Sequence, residues 1–139
     1  MKRLLSPMSL NPDLATLLLR LLFGGMFTYY GYGKLANYDT ILPMFGDIIG
    51  IGAKLSFNLV IFAEFFCGIL IALGLFTRFA IVPAFITMVV AYFIAHAADP
   101  FDAKSIAFVF LIMCLPLFVA GGGKYSLDYI LFSKKQPIE

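Results

Sequence analysis

Four stretches of the chain are apolar for long enough to cross a lipid bilayer, and polar residues fall mostly between them. Hydrocarbon roughly 30 Å thick is crossed at about 1.5 Å per residue, so a span needs about 20 mainly apolar residues. The pattern predicts spans over residues 14–33, 57–76, 79–97 and 105–121, the last somewhat short and interrupted by Pro116. The second and third are joined by only a few residues around Thr77-Arg78, which predicts a tight antiparallel hairpin. Asp99-Pro100 marks the turn between the third and fourth. The first connection, residues 34–56, mixes apolar and polar residues, as expected of a segment lying in the interface or folded back over a bundle.

After the fourth span comes GGGKYSLDYILFSKK. The glycines end a helix, and Ser126 or a polar neighbour is placed to cap another. Tyr125, Tyr129 and Phe132 then recur at helical spacing ahead of two lysines, which predicts an amphipathic helix over about 126–132 lying on the membrane surface. The expected fold is all-α: a four-transmembrane-helix bundle with a short amphipathic C-terminal interfacial helix, forming a single membrane domain over residues 1–139.

Composition supports this reading. Hydrophobic residues are 62% of 139 and charged residues 13%, against roughly 45–50% (glycine included) and 25% in soluble domains. A soluble domain of this size has too little interior to hide so much apolar surface. The partner is therefore the lipid bilayer, and a net charge of +2 argues against nucleic acid. Lys2 and Arg3 resemble the start of a signal peptide, but Pro7, Asn11, Pro12 and Asp13 interrupt before a run too long for one. Cys67 and Cys114 each stand alone in an apolar run, so neither a metal site nor a CxxC redox motif is expected. Lysine and arginine near the span ends set orientation. Lys2, Arg3, Arg78, Lys124, Lys134 and Lys135 fall on one side; Lys34, Lys54 and Lys104 fall on the other, with four aspartates. Both termini are then expected in the cytoplasm.

Charges inside spans are the sharpest chemical signal, since one at a helix centre costs about 2.5–3.5 kcal/mol on insertion and normally faces a partner. Arg20 and Glu64 have opposite signs on sequential spans, and pairing them is the cheapest solution. Their expected depths leave a vertical gap on the order of 10 Å, which the arginine stem or helix tilt must close. Arg20, Gly24, Phe27, Gly31 and Lys34 step by four, three, four and three, and so form one stripe. Glu64, Gly68 and Ala72 form another, small enough to let a helix approach closely. Tyr92 and His96 share a face of the third span. A ligand-binding cluster of Arg20, Tyr30, Lys34, Glu64, Tyr92 and His96 is thus expected in the outer half of the bundle, with Tyr29 and Tyr32 as plain interfacial anchors.

The same residues carry a family resemblance. LLLRLLFGGMFTYYGYGKL, AEFFCGILIALGLFTR, AYFIAHA and GGGKYSLD, in that order, resemble the DoxX family of small four-helix membrane proteins over residues 14–132. The resemblance implies a multi-pass protein of the bacterial inner membrane, similar to subunits associated with quinol oxidation and with thiosulfate:quinone oxidoreductase. The leading expectation is a membrane component of redox metabolism that binds a quinone or similar amphipathic molecule. As an enzyme it would be a quinone-linked oxidoreductase subunit taking electrons from a soluble or membrane redox partner, with no metal, haem or flavin of its own. Homo-oligomers are compatible with so small a bundle. Two other readings fit the same residues: a non-enzymatic scaffold or assembly factor, and a small-solute transporter or channel.

Overall fold

The computed structural model describes residues 4–133; Lys2, Arg3, Lys134 and Lys135, which entered the orientation argument, lie outside them. All regular structure among the described residues is helical. Four helices are long and apolar enough to span a membrane: α1 (Pro12–Ala36), α3 (Ala53–Leu73), α4 (Thr77–Ala95) and α5 (Phe101–Ala120). Shorter helices are α2 (Tyr38–Ile41), continued by a 3-10 turn over Leu42–Met44, and α6 (Leu127–Phe132).

Local chemistry fixes the boundaries. Asn11 caps α1 by accepting from Leu14 N at 3.0 Å, with Pro12 at the first helical position. The second span ends at Leu73, three residues before the expected 76. Gly74 takes a left-handed φ of 72°, and Leu75 N donates to Leu70 O at 2.9 Å, a glycine-terminated closure that stops the helix. The fourth span is a full 20 residues with Pro116 inside it, because its helix starts at Phe101 rather than near 105. Ser126 caps α6, its Oγ accepting from Tyr129 N at 3.1 Å.

The bundle has two ends. At the hairpin end lie the start of α1, the α3–α4 turn, the end of α5, and α6. At the loop end lie the segment containing α2 and the α4–α5 connection. The core is an apolar cluster in which Phe23, Phe27 and Phe110 meet with ring centroids 4.9–5.3 Å apart. Cys67 and Cys114 are buried free thiols in it.

Because lipid tails are as apolar as leucine, helices associate here by close van der Waals approach. Glycine supplies that approach between α1 and α3. A Cβ on Gly24 would come within 2.5 Å of Ala72 N, and one on Gly31 within 2.3 Å of Phe65 N. α3 and α4 pack along their halves nearest the hairpin and part towards the loop end. The segment after α2 folds back over that opening. The rings of Phe45 and Tyr38 pack at a tilt against Phe57, with centroids 4.8 and 5.2 Å away, and the Tyr38 hydroxyl donates to Asn58 at 2.7 Å.

Candidate functional site

Two of the long helices are not α-helical throughout. Phe62–Phe66 in α3 and Ala91–Ala95 in α4 are single π-helical turns. Each is closed by an i→i+5 bond, Cys67 N to Phe62 O and His96 N to Ala91 O. Such turns hold one extra residue and re-aim the side chains around them, and they occur frequently at functional sites. Glu64 sits in the first, and His96 directly follows the second.

Glu64 is 5% exposed, and its Oε2 accepts a 2.5 Å charged hydrogen bond from Lys34 Nζ. The contact of Gly31 with the backbone at Glu64 and Phe65 sets Lys34 one turn above the carboxylate, within reach of its stem. Tyr30 lies beside the pair, with its ring centroid 6.0 Å from Lys34 Nζ. His96 is half-exposed, its Nδ1 2.6 Å from Asp99 Oδ2.

Two cavities adjoin this group, and both are lined by Lys34, Glu64, Ala91 and His96. The larger, about 530 Å³, fills the space where α3 and α4 part. Leu59, Val60, Ile86 and Val90 line its sides, and Met44, Phe45, Ile48 and Ile49 roof it. Ser56 and Thr87 are polar residues of the lining. The smaller, about 190 Å³, lies between α1, α4 and α5 and reaches Ala103 and Lys104 at the loop end. Lys34 and Glu64 thus form a charged partition between a lipid-side chamber and one directed to the loop-end surface.

Arg20 does not pair with Glu64. It is fully buried near the hairpin end, where Nη1 donates to Ala72 O at 2.9 Å and to Ile71 O at 3.3 Å. Its Nη2 donates to Tyr125 O at 2.7 Å. The carbonyls that a helix leaves unsatisfied at its C-terminus are ready acceptors, and the bend at Gly74 opens room for the guanidinium. Arg20 therefore joins a closure of the hairpin end, away from both cavities. Asp128 completes that closure, accepting from Phe76 N at 2.7 Å and from Thr77 N and Oγ1 at 3.0 Å. Arg78 ties in the end of α5 through Phe118 O and Val119 O.

Tyr92 also stands apart from the cavity walls. Its ring packs against Phe93 and Phe108, with Lys104 Nζ 4.7 Å from its centroid. Tyr29 and Tyr32 are 68% and 59% exposed, as interfacial anchors would be. The structure thus brings together Tyr30, Lys34, Glu64 and His96 of the expected cluster, and places Arg20 and Tyr92 elsewhere. It adds Ser56 and the roof of residues 44–49. A signal for Ser56 existed: Ser56, Val60 and Glu64 step by four, the Glu64 stripe extended backwards. Among the described residues no group of three or more His, Cys, Asp or Glu is placed to hold a metal ion.

Four apolar helices around a partly buried ion pair define a multi-pass integral membrane protein. The sequence model of the DoxX family matches residues 15–97, from α1 to just past the end of α4. The chain belongs to the DoxX family. No curated protein and no solved structure matches it. The GGGKYSLD segment, part of the resemblance drawn from sequence, lies beyond the matched residues.

Proposed function

We propose that this DoxX protein is a membrane component of redox metabolism that binds a quinone, or a similar amphipathic small molecule, in the chamber between α3 and α4. The observation that carries the reading is a mostly apolar cavity of about 530 Å³ with a partly buried Lys34–Glu64 pair in its wall. Its size lies in the range of ligand sites, which are mostly apolar with a few convergent polar groups. Leu59 and Ile86 at its sides are exposed where lipid would lie, so a hydrocarbon-soluble ligand reaches it laterally. The lysine ammonium has three donors, of which Glu64 takes one. Another suits a quinone carbonyl oxygen, while the carboxylate holds the ammonium in place.

Reduction of a quinone to its quinol takes up two electrons and two protons. In this reading the electrons come from a partner protein. The protons come from the loop-end surface past His96 and Glu64, which border both chambers. The hairpin end, with Arg78 and Lys124, faces the cytoplasm of a bacterial inner membrane, and the cavity opens in the opposite leaflet.

The test is mass analysis of lipid extracted from purified protein, with thermal stability measured on titrating a short-chain quinone. A co-purified quinone and a rise in melting temperature that Glu64→Gln removes support the proposal. Neither signal in the wild type would sink it and favour the scaffold reading.

A further inference from the structure

Ser56 is 5% exposed, and its Oγ is buried with no hydrogen-bond partner. Two helical hydroxyls of α1 behave differently. Thr28 Oγ1 donates to Gly24 O at 2.6 Å and Thr16 Oγ1 to Pro12 O at 2.9 Å, the usual return to the carbonyl one turn back. At Ser56 that carbonyl, Gly52 O, accepts only the backbone N–H, at 3.0 Å. A buried hydroxyl without a partner is unfavourable and stands out in a folded protein. Ser56 is a lining residue of the large cavity, beneath its roof and about 12 Å along α3 from Glu64.

We infer that Ser56 is a ligand-binding residue whose hydroxyl donates to an acceptor oxygen on the molecule held between α3 and α4. The inference rests on the proposed binding role of that cavity and assigns it a second polar contact. Lys34 and Glu64 mark one place in the cavity wall, and Ser56 marks another nearer its roof. Together they orient the ligand, where the charged pair alone would only attract its polar end. The chemistry suits a carbonyl or ether oxygen on an otherwise apolar body, as in a substituted quinone ring.

A distinctive combination of effects follows. The hydroxyl makes no bond within the protein, so Ser56→Ala should leave the melting temperature of the ligand-free protein unchanged or raise it. The same change should weaken binding of a decyl-substituted benzoquinone about three- to tenfold, the worth of one neutral hydrogen bond, and Ser56→Thr should restore it. Unchanged affinity in Ser56→Ala, with wild-type binding intact, overturns the inference and leaves the quinone reading standing; the hydroxyl then serves a water only. If the wild type binds no quinone, native mass spectrometry of wild type and Ser56→Ala decides. A retained small molecule lost only in the variant supports Ser56 as a ligand contact for another compound; equal retention, or none in either protein, overturns it.

Discussion

Lys34 reaches back from the end of α1 to meet Glu64 in the π-helical turn of α3, with 2.5 Å between Nζ and Oε2. Breaking such a pair from one side leaves a charge in low dielectric, at a cost of about 3–5 kcal/mol for fully buried pairs. Lys34→Met and Glu64→Gln should each destabilise the bundle, by less than that because Lys34 is partly exposed. The double variant should recover part of the loss, with a coupling of about 1–3 kcal/mol. A double-mutant cycle on unfolding free energy in mild detergent measures it; additive losses would mean that the pair contributes nothing.

Arg20 should behave as a structural residue. Arg20→Met removes three charge-assisted hydrogen bonds to Ile71, Ala72 and Tyr125, each worth about 1.5–3 kcal/mol. Severe loss of folded protein is expected. Arg20→Lys keeps the charge without the planar fork and should be intermediate. Ligand affinity per folded molecule should not change, which titration of the surviving Arg20→Lys fraction checks.

Glycine positions on α1 separate two effects. Gly24→Ala and Gly31→Ala drive a methyl into the α3 backbone and should destabilise by about 1–3 kcal/mol, as overpacking does. Gly31→Ala should also weaken ligand binding by lifting Lys34 from Glu64. A Cβ on Gly25 meets nothing within 4 Å, so Gly25→Ala should be neutral or stabilise by up to about 1 kcal/mol. Thermal shifts of the three variants, measured side by side, give the comparison.

Asp128 holds the first turn of α4 from outside the four spans. Asp128→Ala should cost about 0.5–2 kcal/mol, as loss of a helix cap does. It should also free α6, raising amide exchange at Phe76 and Thr77 before the rest of α4. Uniform exchange across the bundle would contradict a local capping role.

Much of this arrangement was legible before the structure. The stripe of Arg20, Gly24, Phe27, Gly31 and Lys34 is the face of α1 that meets α3, because helical phase follows directly from residue number. Partner choice was harder. Arg20 and Glu64 are indeed the buried charges, but pairing them with each other overlooks the carbonyls at the end of α3, which carry no signature in side-chain identity. Lys34, on the stripe of Arg20 and in the expected cluster, is the partner of Glu64, because its long stem turns inward. The π turns were also hidden. Apolar periodicity over five residues does not distinguish a π turn from an α turn, and they reset which residues face the gap between α3 and α4. Tyr92 was assigned by an i, i+4 match to His96, and the π turn ending at Ala95 breaks that shared face.

The bonds of Arg20 also set an order of events during biogenesis. Its carbonyl partners on α3 follow it by 51 and 52 residues, and the one at Tyr125 by 105. When α1 first enters the bilayer, none of them has reached it. The guanidinium must then stay at the headgroup boundary, or be sheltered by the insertion machinery, until the second span arrives. Its Nη2 finds its partner only once Tyr125 has emerged, after the fourth span. Closure of the hairpin end is therefore a late step, and a released chain truncated before Tyr125 should insert four helices whose hairpin end is left unclosed.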